Sequence, residues 1–392
     1  MKSTLAKPAS LHDVAAHAWD VVIVGAGPAG SAAACRAATL GLRTLIVDRA
    51  SFPRDKVCGG CLSPLGLDAL DALGLGAAAR SSGIPLRSID LTARGHTTRL
   101  PLRGGLAIGR EELDTMLLRY AESQGATALE STHAALVSDH DSRVVIALRR
   151  GDESAELATP RTLVADGLSG SFLPRDEDWS ARIASRSRIG LGARVVDSSF
   201  PLAPGVIAMC CGRHGYVGMV RLRDGSIDLA AAVDPAFLRA CASPARAVYA
   251  ILREAAPKAD HADRLDLNIP FRGTGMLTRR RAVERGGVLI AGDAAAYVEP
   301  FTGEGMSWAM HAGMAAAELI AAGEPAGAWT QRSQALLSAR QRRCRAVALA
   351  LRSPTLVAFA ARAMALMPAV APLAQRLVAG PWARNGIAEA TP

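Results

Sequence analysis

Short β-branched apolar runs that halt at glycine alternate in this chain with alanine-rich helical sequence, the pattern of parallel strands buried beneath helices. The run DVVIV from Asp20 to Val24 stops at Gly25, and alanine-rich sequence continues from Pro28 to Leu40. A second run, RTLIVD, follows Gly41 and ends on Asp48. Strand, glycine turn, helix and strand within about thirty residues predict a βαβ unit, the start of a doubly wound sheet. Far down the chain, GVLIA from Gly287 to Ala291 resumes the buried-strand style and leads into Gly292-Asp293. The sheet opened near residue 20 is therefore expected to close near residue 291.

Between these ends the pattern changes. Segments 86–103 and 132–166 read as β-hairpin material around a helix from Glu111 to Gln124. Residues 187–234 carry several strand-length runs (RIGLGARVV, GVIAMCC, YVGMVRL, SIDLAAAV), and a helical patch covers 244–255. From Glu304 onward the sequence reads as helix, broken near Gly323–Gly327, Pro354, Pro368 and Pro372. The predicted architecture is α/β, in three parts. A Rossmann-like nucleotide-binding domain is assembled from 19–80, 104–180 and 279–334; an inserted, mostly antiparallel β substrate domain takes 81–103 and 181–278; a C-terminal helical cap covers 335–392.

With 392 residues, 50% hydrophobic and 21% charged, the chain has material for more than one core and is no disordered, collagen-like or disulfide-scaffold sequence. The formal charge of +9 raises polyanion binding, yet only four of the 45 basic residues are lysines, the arginines are scattered and aromatics are 4%. Stacking platforms for bases, and so a nucleic-acid partner, are not expected. Seven cysteines spread from Cys35 to Cys344 fit a reducing compartment, and the first eighteen residues lack the continuous apolar core of a secretory signal. A cytoplasmic location is the expectation. No spanning helix is expected either, because the most apolar stretch, Thr355 to Leu373, is interrupted by Arg362, Pro368 and Pro372.

Chemistry enters at Gly25-Ala26-Gly27-Pro28-Ala29-Gly30, a GxGxxG whose strand–turn–helix context gives it weight. Gly25 permits the tight turn, Gly27 lets backbone amides approach a pyrophosphate, and Gly30 lets the helix lie close to the strand. Pro28 loses no hydrogen bond at a helix start, and that N-terminus turns roughly half a positive charge towards the phosphates. Asp48, eighteen residues past Gly30 and followed by Arg49, would accept adenosine ribose hydroxyls. Near the other end, Asp293 closes a strand where an acid can hold a ribitol hydroxyl. The turn through Pro300, Gly303, Glu304, Gly305 and Met306 then opens a helix whose N-terminus would favour the negative charge of a reduced flavin. FAD is thereby preferred to NAD as the bound dinucleotide. Arg110, at a strand-to-helix switch, could meet the phosphates, and Asp166-Gly167 ends another apolar strand; each alone has an ordinary structural explanation.

Taken in order, GxGxxG, Arg110, the ADG ending at Gly167 and the GDAA from Gly292 resemble the FAD-dependent oxidoreductase superfamily built like para-hydroxybenzoate hydroxylase. Within it, FPRDKVCGGCLSP (Phe52–Pro64) and GDAAAYVEPFTGEGM (Gly292–Met306) look like the geranylgeranyl reductase family. The resemblance runs over roughly residues 19 to 325. It implies that Gly25, Gly27, Gly30, Asp48, Arg110, Asp166 and Asp293 contact non-covalently bound FAD, with Cys58 beside the flavin; Pro28, Ala29, Arg49, Gly292, Pro300, Gly303, Gly305 and Met306 complete the expected cofactor site. One stretch departs from the family: its GYxWxFP is here GYVGMV, Gly215 to Val220, keeping Tyr216 but placing Gly218 and Val220 where tryptophan and phenylalanine stand. That loosens the inference of an isoprenoid substrate. The halogenase signature WxWxIP is absent.

Cys58-Gly59-Gly60-Cys61 is a CxxC, which admits a thiol–disulfide reading, a lone Cys58 acting near the flavin, or inert thiols. No second Cys/His pair stands at ligand spacing, so no metal is expected. His214 shares a predicted strand with Tyr216, and His311 lies on the helix after Glu304; a structurally satisfied histidine is the commoner explanation for both. Arg340, Arg342, Arg343, Arg345, Arg352 and Arg362, interleaved with apolar residues, suit a cap packed on the FAD domain or a peripheral contact with anionic membrane, the cap being preferred.

The expected activity is FAD-dependent reduction of C=C bonds in a hydrophobic, isoprenoid-, quinone- or lipid-like small molecule, with NAD(P)H as a transient reductant. Cys58, largely protonated at neutral pH given a free pKa near 8.5, and Tyr216 are the candidate catalytic residues. Two alternatives stand beside it: an NAD(P)H- and O2-dependent monooxygenase acting on an aromatic or polyketide-like ring, and a cofactor-free prenyl or lipid escort. The enzyme readings require the carboxylates of Asp48 and Asp293 to face one open groove.

Overall fold

The computed structural model describes residues 10–366, except 103, 141–142, 198, 258–259, 264, 300 and 302. Pro300, Pro368, Pro372 and the 367–392 part of the expected cap therefore lie outside the described residues. Two sheets organise the rest. The first holds, in order, Glu284–Arg285, Val288–Ile290, Thr162–Val164, Val21–Val24, Thr44–Val47 and Thr127–Leu129, parallel throughout except for the edge pair formed by Glu284–Arg285. Val21–Val24 sits inside this sheet with every residue buried. A parallel strand covered on both faces has no polar side, which is why its sequence is continuously β-branched.

Helices Pro28–Thr39, Arg110–Ser123 and Gly305–Ala321 lie over one face, packing alanine, leucine and methionine side chains on Val21, Ile23 and Ile46. Pro28–Thr39 and Gly305–Ala321 approach so closely that a Cβ on Gly313 would lie 2.0 Å from the Ala29 carbonyl oxygen. The opposite face is covered by the antiparallel meander His133–His140, Arg143–Arg150 and Glu153–Thr159, with Leu11 and Val14 of the short helix Leu11–Ala15.

The second sheet has seven strands: Arg272–Met276, Ile189–Val195, Ile227–Val233, Gly215–Arg221, Val206–Gly212, Ser88–Ala93 and His96–Pro101. All pairs are antiparallel but one, Val206–Gly212 against Ser88–Ala93. Helix Pro244–Ala255 packs on one face. The other face sets Leu91, Met209, Cys211 and Tyr216 against Leu351, Val357, Ala358 and Ala361. These last belong to the C-terminal helices Ala328–Ala350 and Pro354–Leu366 and the bend of 107° between them. Ala328–Ala350 runs through residue 335, where the sequence placed the start of the cap. The α/β class, with a parallel nucleotide-type sheet and a mostly antiparallel second sheet, is as expected. Among the described residues no single helix is long and apolar enough to cross a membrane, and no cluster of His, Cys, Asp and Glu could hold a metal ion.

Candidate active site

Gly25 leaves the central strand at φ +100°, and a Cβ there would lie 2.5 Å from the Ala165 carbonyl oxygen. On Gly30 a Cβ would lie 1.8 Å from the Gly25 carbonyl oxygen. Backbone packing thus demands both glycines. Gly27 is the N-cap of Pro28–Thr39 and supplies no side-chain cap, so the first-turn amides await acceptors from outside the helix. Asp48 accepts the Ala26 N–H at 2.7 Å and the Ala50 N–H at 2.9 Å. It lines a cleft with Gly25, Arg49, Thr132, Asp166 and Phe172. Asp166 accepts the Phe172 N–H at 3.1 Å, and burial pushes its carboxyl up. Arg49 is exposed, with Nη2 3.4 Å from Ser169 Oγ.

At the other end, Gly292 (φ +63°) turns the chain out of Val288–Ile290 into a single 3-10 turn that carries Asp293. Asp293 lines a second cleft with Tyr297, Gly305, Trp308 and Ala309. Gly303 backs onto Cys61, where a Cβ would meet the Cys61 Cβ at 3.3 Å. Met306, in the first turn of Gly305–Ala321, places Sδ 3.9 Å from Cys58 Sγ although 248 residues separate them. The cysteine turn and the Gly-Glu-Gly turn therefore touch.

Asp48 and Asp293 line separate clefts, so the one open groove set as the requirement of the enzyme readings is not there among the described residues, and those readings rest instead on the groups that stand between the clefts. Cations fill the stretch between them. Buried Arg110 grips Asp114 through bonds of 2.9 and 2.7 Å. Arg54 Nη2 lies 3.2 Å from Asp114 and 3.9 Å from Asp48. Lys56 acts on both Asp166 and Asp293, and burial, with Arg110 and Arg54 beside it, pulls its ammonium pKa down. Nε of Arg54, Arg279 and Arg281 is buried without a hydrogen-bond partner. Unpaired buried donors are costly, and phosphate oxygens are the acceptors that best satisfy guanidinium groups. Carboxylates at both ends and guanidinium Nε groups without acceptors in the middle are a donor and acceptor set that fits an FAD, with Arg54 and Lys56 standing between the two clefts. Neither cation was among the sequence candidates; their signal was their place inside FPRDKVCGGC.

Cys58 is partly buried, and desolvation raises its thiol pKa, so it keeps its proton at neutral pH. All seven cysteines are free thiols, Cys58 and Cys61 included. Asp228, on Ile227–Val233 of the second sheet, reaches the same turn: a Cβ on Gly60 would lie 2.7 Å from its Oδ2. Burial lifts this carboxyl to about 7 against the pull of Arg194. An acid inside the apolar run SIDLAAAV was the overlooked signal. Tyr216 stands on the apolar face of that sheet, its hydroxyl buried without a hydrogen-bond partner. Its ring meets Phe301 edge-on at 5.6 Å, and the Arg188 guanidinium lies 5.7 Å from its centroid. Burial pushes the Tyr297 phenol up, with Asp293, Tyr216 and Cys58 near enough to add to the shift. His214 stacks on Phe237 at 4.4 Å, and His311 Nε2 lies 3.2 Å from the Leu65 carbonyl oxygen. Both histidines have structural employment.

The sequence profile of the FAD binding domain family matches residues 18–353. The chain belongs to that family. Menaquinone reductase of Mycobacterium tuberculosis (strain ATCC 25618 / H37Rv) is 30% identical over 335 residues, 79% of this chain and 78% of its own. Digeranylgeranylglycerophospholipid reductase 1 of Methanothermobacter thermautotrophicus is 24% identical over 351 residues, 83% of this chain and 82% of its own. The resemblance to geranylgeranyl reductases therefore extends well beyond the motifs. The flavin-dependent brominase Bmp2 superposes with a TM-score of 0.76 at 18% identity, over 92% of this chain and 93% of its own, a likeness of fold alone. Membership of the FAD binding domain family agrees with the glycine turn Gly25–Gly30 at the head of the parallel sheet.

Proposed function

We propose that this FAD-binding oxidoreductase reduces C=C bonds in a hydrophobic small molecule of isoprenoid, quinone or lipid type. The observation that carries the reading is the apolar layer beside the cysteine turn. There Leu91, Met209, Cys211 and Tyr216 close against Val357, Ala358 and Ala361, with Phe301 and Tyr297 packed on them and Tyr297 also lining the Asp293 cleft. Apolar surroundings with few convergent polar groups suit an apolar ligand, and here they are closed against one another. Met209 also takes up the room left where the family motif has tryptophan, for a Cβ on Gly218 would lie 3.1 Å from Met209 Cε. A flexible thioether yields readily to a ligand, so the departure in GYVGMV is compatible with a long apolar substrate. Similarity to a menaquinone reductase supports the same reading.

FAD, once bound, would supply the hydride, itself replenished by transiently bound NAD(P)H. The chain would do the rest. Gly25 to Gly30 and Asp48 would hold the adenosine half, Arg54, Lys56 and Arg110 the diphosphate, and Asp293 with the Gly303 and Gly305 turn the flavin half. A double bond that accepts hydride at one carbon needs a proton at the other. Cys58 holds one at Sγ, Asp228 behind the same turn can restore it, and Tyr216 offers a hydroxyl that no other group occupies.

Pre-reduced enzyme mixed anaerobically with a polyprenyl quinone or a geranylgeranyl lipid should regain its yellow colour and give a product two hydrogens heavier. Protein that stays bleached until oxygen enters, and then yields a hydroxylated product, is a monooxygenase instead. A colourless protein that takes up no FAD is an escort.

A further inference from the structure

The C-terminal helices turn outward what a helix usually buries. On Pro354–Leu366, Val357, Ala358 and Ala361 face the second sheet, while Leu356, Phe359, Ala363 and Leu366 form an outer stripe at helical spacing. Leu356, Phe359 and Leu366 are 49%, 71% and 83% exposed, and Leu349, before the bend, is 58% exposed. Anchors on the hairpin 88–101 set this orientation: Arg94 Nη1 donates to Thr355 Oγ1 at 3.0 Å, and Arg362 Nη2 donates to His96 Nε2 at 2.7 Å.

Charge singles out the same region. Between Glu324 and Glu389 the sequence has nine arginines and no Lys, Asp or Glu; the other 36 basic residues equal the 36 acidic ones, so the entire net charge of +9 resides there. Arg342 and Arg345 are exposed on Ala328–Ala350 at positions in register with Leu349.

We propose that this face docks on an anionic lipid bilayer, with Leu356, Phe359 and Leu366 in the headgroup–acyl boundary and Arg342 and Arg345 among the headgroups. A second copy of the chain is a poorer occupant. A two-fold contact would bring this acid-free, arginine-rich face against itself, charge against like charge. The inner side of the same helix closes the apolar layer described above. If the proposed activity is right, a lipid-like substrate reaches the site from the bilayer without crossing water; the docking itself does not depend on that activity.

Flotation of the full-length holoenzyme with vesicles tests this without any turnover assay. Vesicles of phosphatidylglycerol in phosphatidylcholine should carry the protein at least about tenfold better than phosphatidylcholine alone, each arginine being worth roughly fivefold at an anionic surface. Arg342→Glu with Arg345→Glu should weaken binding more than about tenfold on the same basis, and Phe359→Ser should weaken it at constant charge. Both variants should keep bound FAD and their melting temperature. Equal flotation with neutral vesicles, or none with anionic ones, overturns the proposal. So does a dimer that Phe359→Ser dissociates in a protein that ignores vesicles.

Discussion

At the scale of single residues, the proposed proton supply is tested first at Cys58, on its turn, and at Asp228 behind it. Cys58→Ser should keep its FAD and lose turnover by about 10²-fold or more, the usual worth of a positioned acid; full turnover in a yellow variant removes the thiol from the mechanism. Asp228 is neutral below about 7, so turnover should fall as pH rises through that value, and Asp228→Asn should flatten the profile. Stability carries the same sign. Between its ordinary value of 3.8 and about 7, the folded chain holds a proton that the unfolded chain has released. The contribution is therefore present at acid pH and lost as pH rises through 7. Urea unfolding of the wild type and Asp228→Asn at both ends of that window measures it. Gly30→Ala must push the helix off its strand, at about 1–3 kcal/mol by the usual cost of overpacking, and should lower FAD retention, readable as released flavin fluorescence. Gly25 and Gly30 were legible in the sequence because no other residue suits those positions. Arg54, Lys56, Asp228 and Tyr297 were not, because their neighbours arrive from strands and helices far away in the chain.

Elements repeat that division. The parallel strands other than Thr127–Leu129, which went unread, and Pro244–Ala255 were legible, since burial on both faces or on one stripe writes a strong period. Helices Pro64–Ala72 and Gly76–Ser82 escaped notice. They are short and held by contacts with each other and, for Pro64–Ala72, with Gly305–Ala321 rather than by a marked stripe. The parallel pairing of Ser88–Ala93 with Val206–Gly212 was equally invisible, because register across more than a hundred residues leaves no local trace. Beyond their apolar contact, the C-terminal helices are coupled to the second sheet by an ionic knot. Arg188, fully buried, lies 3.0 Å from Asp234 and 3.5 Å from Glu299, and Arg352 reaches the same two acids at 3.5 and 3.8 Å. Arg188→Leu should cost about 3–5 kcal/mol in chemical denaturation, the figure for stranding a buried partner charge. Arg352→Ala should speed hydrogen exchange in 354–366 while leaving the parallel sheet protected.

For the whole molecule, an FAD reaching from Asp48 to Asp293 would span what the chain brings together from its two ends, so binding and folding would be linked. Free FAD at a hundred times its Kd should stabilise the fold by about 2.7 kcal/mol, visible as a concentration-dependent rise in melting temperature that an FAD-binding variant such as Gly30→Ala would blunt. The order of strands in the first sheet also bears on manufacture. Val21–Val24 needs Thr162–Val164 as a neighbour, and Val288–Ile290 must follow to cover that strand in turn. A ribosome delivers these pieces far apart in time, so the earliest strand leaves the exit tunnel with one sticky edge and no mate. Such a nascent chain is a customer for holding chaperones until nearly three-quarters of it has been synthesised.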